Sequence, residues 1–186
     1  MDKLFIPLIL GTNRQDRQSR FVADWVFSKM QAHEEIETRF FDTRDFQMPT
    51  DDYGTEIKDL FPEWRDAIVR ADGLVIVSPE YNHGYPGILK SVLDLLLKEY
   101  IHKAVAVCGV SAGPWGGTRV IEALATTVRE LGLTITFTDL NFPGVRQKFD
   151  ENGKLLDEAY EKRVQGFLEE LIWMSKALRW GRQNLK

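Results

Sequence analysis

Two stretches of this chain carry neither charge nor alternation: Leu74-Val75-Ile76-Val77 and Ala104-Val105-Ala106-Val107-Cys108-Gly109-Val110. A strand with one face in water alternates apolar and polar side chains. A strand that is apolar throughout is covered on both faces, and crossover helices on the two sides of a parallel sheet provide that cover. Both runs are far shorter than the roughly 20 apolar residues a membrane-spanning helix needs. The first apolar run, Leu4 to Leu10, is also short and follows Asp2 and Lys3, so neither a signal peptide nor a membrane span is expected.

The remaining elements alternate around these two strands. Residues 4–10 read as strand one, 19–31 as a helix, and Ile36 to Phe41 as strand two. Residues 42–55 are polar and contain Pro49, Asp51, Asp52 and Gly54, a long loop. A helix over 57–71 starts or breaks at Pro62, and Pro86-Gly87 opens an amphipathic helix over 88–97. Residues 117–131 form a helix closed by Gly132. Leu133 to Leu140 alternates and suits a less covered fifth strand, and 157–178 form the last helix. This order predicts one domain over 1–186, an α/β open doubly wound parallel sheet with right-handed crossovers and helices on both faces. A ligand at the switch point between strands one and three requires the order 2-1-3-4-5.

Three loops follow strands in this scheme and mark the candidate site. The first, Gly11-Thr12-Asn13-Arg14-Gln15-Asp16-Arg17-Gln18-Ser19-Arg20, leads into a helix. Unpaired helix N–H groups, the hydroxyls of Thr12 and Ser19, and the charges of Arg14 and Arg17 suit an anion. By itself the loop also fits a solvated turn with two surface arginines. The others are Pro79-Glu80-Tyr81-Asn82-His83-Gly84-Tyr85-Pro86-Gly87 and Ser111-Ala112-Gly113-Pro114-Trp115-Gly116-Gly117.

Several chemistries are excluded. The dinucleotide fingerprint needs three spaced glycines after strand one, and the P-loop needs Gly-Lys-Ser/Thr; neither is present. Gly109-Val110-Ser111-Ala112-Gly113 approaches a nucleophile elbow, but no histidine follows His102 to complete a triad. Three histidines and one cysteine, widely spaced, give no zinc pattern, and no metal site is expected. A net charge of -4 gives no support for a nucleic-acid surface. Cys108 reads as a core residue, and a lone cysteine excludes an internal disulfide, which suits a reducing cytoplasm.

Gly11-Thr12-Asn13-Arg14 with Arg17 and Ser19 resembles the flavin-phosphate loop of the NAD(P)H-dependent FMN reductases. Pro79-Glu80-Tyr81-Asn82, then Pro86 to Lys90 and Asp94, is similar to that family's second signature. Ser111-Ala112-Gly113 with Gly116 to Arg119 is similar to its third, and the segment Lys148 to Leu155 follows suit. The resemblance covers roughly residues 4–170 and implies a flavodoxin-like fold with FMN as cofactor. Arg14 and Ser19 would contact the FMN phosphate, with Arg17 adding charge or covering the site. Glu80, Tyr81 and Asn82 would lie along the pyrimidine and ribityl side. Backbone N–H groups around Ser111, Gly113, Gly116 and Gly117 would meet the ring. NADPH or NADH would deliver hydride to flavin N5, and a quinone or similar flat acceptor would then be reduced by a ping-pong mechanism. The cofactor carries the chemistry, so no catalytic side chain is assigned.

Some roles stay open at this level. Glu80 serves either the flavin or a subunit interface. His83 suits a surface or substrate-rim position, and Tyr85 either lines the mouth or packs beneath its loop. Trp115 flanks the acceptor or packs across a dimer, and Arg119 reaches a nicotinamide-cofactor phosphate or pairs with an acidic neighbour. The leucines of 88–97 and Phe167, Leu168, Leu171, Ile172, Trp173 and Met174 predict a homodimer, with a homotetramer as a dimer of dimers the alternative. A flavodoxin-like electron carrier and a flavin-free interaction module are the alternatives to a reductase.

Overall fold

The computed structural model describes residues 2–49 and 57–185. Its first strand is in two pieces, β1 (Leu4–Phe5) and β2 (Leu8–Leu10), because Pro7 has no N–H to give to a ladder. Pairing continues across the break: Ile6 N donates to Glu37 O at 2.9 Å, Leu8 N to Arg39 O at 2.9 Å, and Val75 N to Pro7 O at 2.9 Å. The second strand is likewise split into β3 (Ile36–Glu37) and β4 (Phe40–Asp42).

The two apolar runs become β5 (Gly73–Pro79) and β6 (Lys103–Val110), followed by β7 (Leu133–Ile135) and β8 (Leu140–Phe142). The sheet runs β4-β2-β5-β6-β7 with β8 also on β6, every pair parallel. Counting the split strands as one each, this is the flavodoxin-like order 2-1-3-4-5.

Among the described residues there are five α-helices: α1 (Ser19–Ala32), α2 (Pro62–Arg70), α3 (Gly87–Leu93), α4 (Thr118–Glu130) and α5 (Ala159–Asn184). One core lies between the sheet and α1 and α5, where Leu8, Leu10, Val75, Val77, Ala106 and Cys108 point. The other lies under α2, α3 and α4 and takes Ile9, Leu74, Ile76, Val105 and Val107. Successive strand residues thus enter opposite cores, which is why β5 and β6 could not alternate. Among the described residues, no helix is long and apolar enough to cross a membrane.

Four expected elements differ. Polar residues 50–55 of the long loop lie outside the described residues, while Thr43–Asp45 form a 3-10 turn. The helix of 88–97 ends at Leu93; Leu95 and Leu96 follow it and are buried in the same core, and Leu97 is exposed. The fifth strand is interrupted. Ile135 pairs with Val105 and Leu140 with Cys108, so five steps along this edge oppose three along β6. The surplus is a bulge that reverses the alternation: Thr136 is buried and Phe137 is 94% exposed. The last helix also runs beyond Leu178 to Asn184.

The bulge leaves Asp139 Oδ1 buried, with no partner among the described residues. Burial first, and then the neighbouring Glu122 charge, raise its pKa to about 6. The folded chain therefore holds this proton more tightly than an unfolded one, whose aspartate titrates near 3.9. Stability from this group is present at low pH and declines as pH rises from about 4 to about 6. Asp139→Asn should raise the melting temperature at pH 7 by about 2–4 °C, the equivalent of about 1 kcal/mol after discounting for partial exposure. Equal melting temperatures at pH 7, measured by calorimetry, would contradict this; at pH 4 the two proteins should match.

Candidate functional site

Parallel pairing brings the loops after β2, β5 and β6 to one end of the sheet. There they border a cleft of about 420 Å³, lined by residues 14–19, 79–81, 110–112 and 145–146. Hydrogen bonds continue beyond the strands and set the loops side by side. Gly11 N donates to Val77 O at 2.8 Å, Glu80 N to Val110 O at 2.8 Å, and Ser111 N to Phe142 O at 3.1 Å. A larger hollow of 550 Å³ lies at the opposite end, beside Lys3, Glu35 and Lys176. Lys176 is paired there with Glu35, and none of the three loops reaches it.

The first loop is folded around Thr12. This residue is fully buried, and its hydroxyl lies 2.8 Å from that of Tyr81, which joins the first loop to the second. Arg14 is exposed, and its guanidinium stacks 3.8 Å from the Tyr81 ring centroid. Ser19 opens α1 with 2% exposure, yet its Oγ has no partner among the described residues. No acidic side chain lies in the first turn of α1, so nothing there competes with an anion for the helix N–H groups.

Arg17 borders the cleft but its charge is committed. Its guanidinium grips both oxygens of Asp42 and also donates to Thr12 O, with the side chain 5% exposed. Burial alone would raise the Asp42 carboxyl; hydrogen bonds from Arg17 and Arg44 N and the charges of Arg17 and Arg20 outweigh it and hold the pKa below the usual value.

In the second loop, Pro79 ends β5 and a two-residue turn follows. Tyr81 N donates to Gly84 O at 2.9 Å and Gly84 N to Tyr81 O at 3.0 Å. Asn82 and His83 both have positive φ, 52° and 67°. Asparagine tolerates that conformation; histidine does so at a cost of about 1–3 kcal/mol, strain of the kind that collects at functional sites. Both side chains are exposed at the tip, so the structure places Asn82 outside the cleft wall. Tyr85 packs beneath the loop, its hydroxyl 2.6 Å from Thr127 Oγ1.

In the third loop, Ser111 Oγ donates to Gly113 O at 2.9 Å. Gly116 and Gly117 have φ of 62° and 80°. A Cβ on Gly117 would lie 2.4 Å from Val110 N, and one on Gly116 would lie 3.0 Å from Asn141 Cβ and Pro143 Cδ. These glycines are therefore required by backbone conformation and by packing against β6 and β8. Gly113, in contrast, faces open space. Arg119 lies 3.5 Å from Glu80 Oε1 and 5.2 Å from the centroid of the exposed Trp115 ring. Glu80 thus has a partner within the chain, while its Oε2 is buried with no partner among the described residues.

Arg146, Val145 and Gln18 line the cleft without having been singled out in the sequence. Gly144 N bonds to Gly113 O and Val145 N to Ser111 O, which swings the segment after β8 against the third loop. That contact between distant segments has no periodicity or spacing to announce it. Among the described residues there is no group of His, Cys, Asp and Glu able to hold a metal.

Comparison with known proteins agrees with this architecture. A 2-hydroxy-1,4-benzoquinone reductase from Burkholderia sp is 27% identical over 176 residues, covering 89% of this chain and 93% of that protein. The NADH:(hydroxy)cinnamate reductase subunit CrdA of Vibrio ruber is 28% identical over 180 residues, covering 91% and 86%. Among solved structures, the flavoenzyme NAD(P)H:(acceptor) oxidoreductase FerB from Paracoccus denitrificans superposes with a TM-score of 0.78 at 22% identity, over 93% of this chain and 98% of that one. The family model for NADPH-dependent FMN reductase matches residues 6–145, a span that contains all three loops, and the chain belongs to that family of FMN-dependent oxidoreductases.

Proposed function

We propose that this chain is an NAD(P)H-dependent reductase that holds FMN in the cleft and reduces a quinone or similar flat acceptor in two separate half-reactions. One observation carries the reading: two residues that line the cleft, Ser19 and Glu80, each hold a buried polar atom, Ser19 Oγ and Glu80 Oε2, without a partner among the described residues. Buried polar atoms are almost always hydrogen-bonded, so an unpartnered pair on one cleft points to a ligand. Ser19 can donate to a phosphate and the Glu80 carboxylate can accept from a ring N–H, and FMN carries both.

The remaining residues fit the same group. Arg14 adds positive charge beside Ser19, and Arg146 adds it from the segment after β8. Tyr81, fixed by Thr12 and Arg14, forms a rigid wall. Backbone groups of Ser111 and Ala112 border the opposite side, with Gly113, Gly116 and Gly117 shaping the turn behind them. FMN, when bound, supplies the redox chemistry by taking a hydride from NADPH or NADH and passing two electrons on. What remains for the protein is to bind, orient and restrict access. A quinone acceptor is supported by the similarity to relatives such as the 2-hydroxy-1,4-benzoquinone reductase.

Donor and acceptor share one opening, so they cannot stack productively together. Initial rates with NADPH and a soluble quinone should give parallel double-reciprocal lines. Intersecting lines would contradict the shared opening.

Phe167, Leu168, Leu171 and Ile172 are buried within the chain, so they no longer argue for assembly. Trp115, Phe137 and Trp173 remain exposed and support the proposed homodimer. Sedimentation at micromolar concentrations tests it, and a monomer throughout would reject both dimer and tetramer.

A further inference from the structure

The segment Asp42-Thr43-Arg44, at the end of β4, is bound to the carbonyls at the start of the first loop, directly or through Arg17. Thr43 Oγ1 donates to Leu10 O at 3.0 Å. Arg44 donates from Nε to Asn13 O at 3.4 Å and from Nη2 to Arg14 O. Arg17, gripped by Asp42, donates to Thr12 O. Asp42 Oδ1 also accepts from Arg44 N at 2.9 Å, and Arg20 Nη1 lies 3.5 Å from Asp42 Oδ2. One buried carboxylate thereby grips the Arg17 guanidinium and the backbone of Arg44, with the Arg20 guanidinium beside it.

The consequence follows from the peptide plane. In a trans peptide the C=O and the next N–H point in opposite directions. Drawing the carbonyls of residues 12, 13 and 14 toward the 42–44 segment turns the N–H groups of residues 13, 14 and 15 away from it. Arg14 N meets Thr12 Oγ1 at 3.4 Å, while the N–H groups of Asn13 and Gln15 have no protein acceptor among the described residues. A loop free to rotate would present carbonyl oxygens to an anion and repel it.

We propose that Asp42 is a positioning residue for the phosphate of FMN, holding Arg17 and Arg44 so that the first loop presents donors rather than carbonyls. The inference rests on the FMN reading above and assigns no contact between Asp42 and the cofactor. It makes a prediction opposite in sign to simple electrostatics. Removing a negative charge near an anion site should tighten anion binding through space; removing the clasp should weaken it.

The test titrates apoprotein with FMN and with riboflavin, which lacks the phosphate, and follows flavin fluorescence. Asp42→Asn should raise the FMN dissociation constant about tenfold, the loss of one charge-assisted bond. The riboflavin constant should change less than about twofold. A general loss of structure would shift both alike, so the ratio isolates the phosphate. Arg44→Ala, an exposed side chain, should shift the ratio in the same direction, and it stands in if Asp42→Asn does not fold. FMN affinity equal to or tighter than wild type in the folded variant would overturn the proposal. Wild-type apoprotein that binds no FMN would instead remove the FMN reading, and this inference with it.

Discussion

Arg14→Ala should weaken FMN binding about 10- to 100-fold, the loss expected for a charge-assisted bond worth about 1.5–3 kcal/mol. The fold should be nearly untouched. Arg14 is exposed, and its one ring contact is with Tyr81, a stacking worth about 0.5–1 kcal/mol at such a site. Tyr81 keeps its bond to Thr12 in the variant. Fluorescence titration of apoprotein measures the effect, with riboflavin as control. Equal FMN constants for variant and wild type would remove Arg14 from the phosphate site. The contrast with Arg17 is in the structure: of two arginines three positions apart, Arg14 has no carboxylate partner among the described residues and Arg17 is locked to Asp42.

Gly117→Val should cost most in stability. The position has φ of 80°, and a Cβ there would lie 2.4 Å from Val110 N and 2.6 Å from Gly109 C, both rigid strand backbone. Strain of about 1–3 kcal/mol for the backbone adds to about 1–3 kcal/mol for overpacking. A loss of about 3 kcal/mol or more in denaturant unfolding is expected, with failure to fold as its extreme. Gly113→Ala is the matched control, since nothing lies within 4 Å of its Cβ position. It should be within about 0.5 kcal/mol of wild type. A Gly117→Val protein as stable as wild type would show that the turn can move off β6.

How much of this was legible in the sequence varied with the physics of each feature. The doubly wound sheet was readable because β5 and β6 are apolar on both faces, a pattern few other arrangements satisfy. The fifth strand was misread as continuous because Leu133, Ile135 and Phe137 keep a perfect alternation. The bulge after Ile135 is dictated by pairing with β6, which no local pattern records.

The site was legible as three loops, but less so as individual roles. Ser19 and Glu80 emerge with unpartnered atoms on the cleft, as residues meant for a ligand would. Arg17 looked equivalent to Arg14 in the loop, and only the approach of Asp42 from β4 separates them. Glycines 116 and 117 were flagged for close approach to a ring; what lies against Gly117 is the backbone of β6, and against Gly116 the Asn141 side chain and Pro143. Tyr85 and Arg119 were undecided because their partners, Thr127 and Glu80, lie across long sequence separations.

The central claim is that the cleft holds FMN and passes reducing equivalents to it from a nicotinamide. Its most direct test is the visible spectrum of the purified, FMN-loaded protein under anaerobic titration with NADPH and then NADH. The account predicts a flavin absorption band that bleaches stoichiometrically without any acceptor and returns when quinone is added. A protein that binds no flavin, or a bound flavin that neither nicotinamide bleaches, would contradict it.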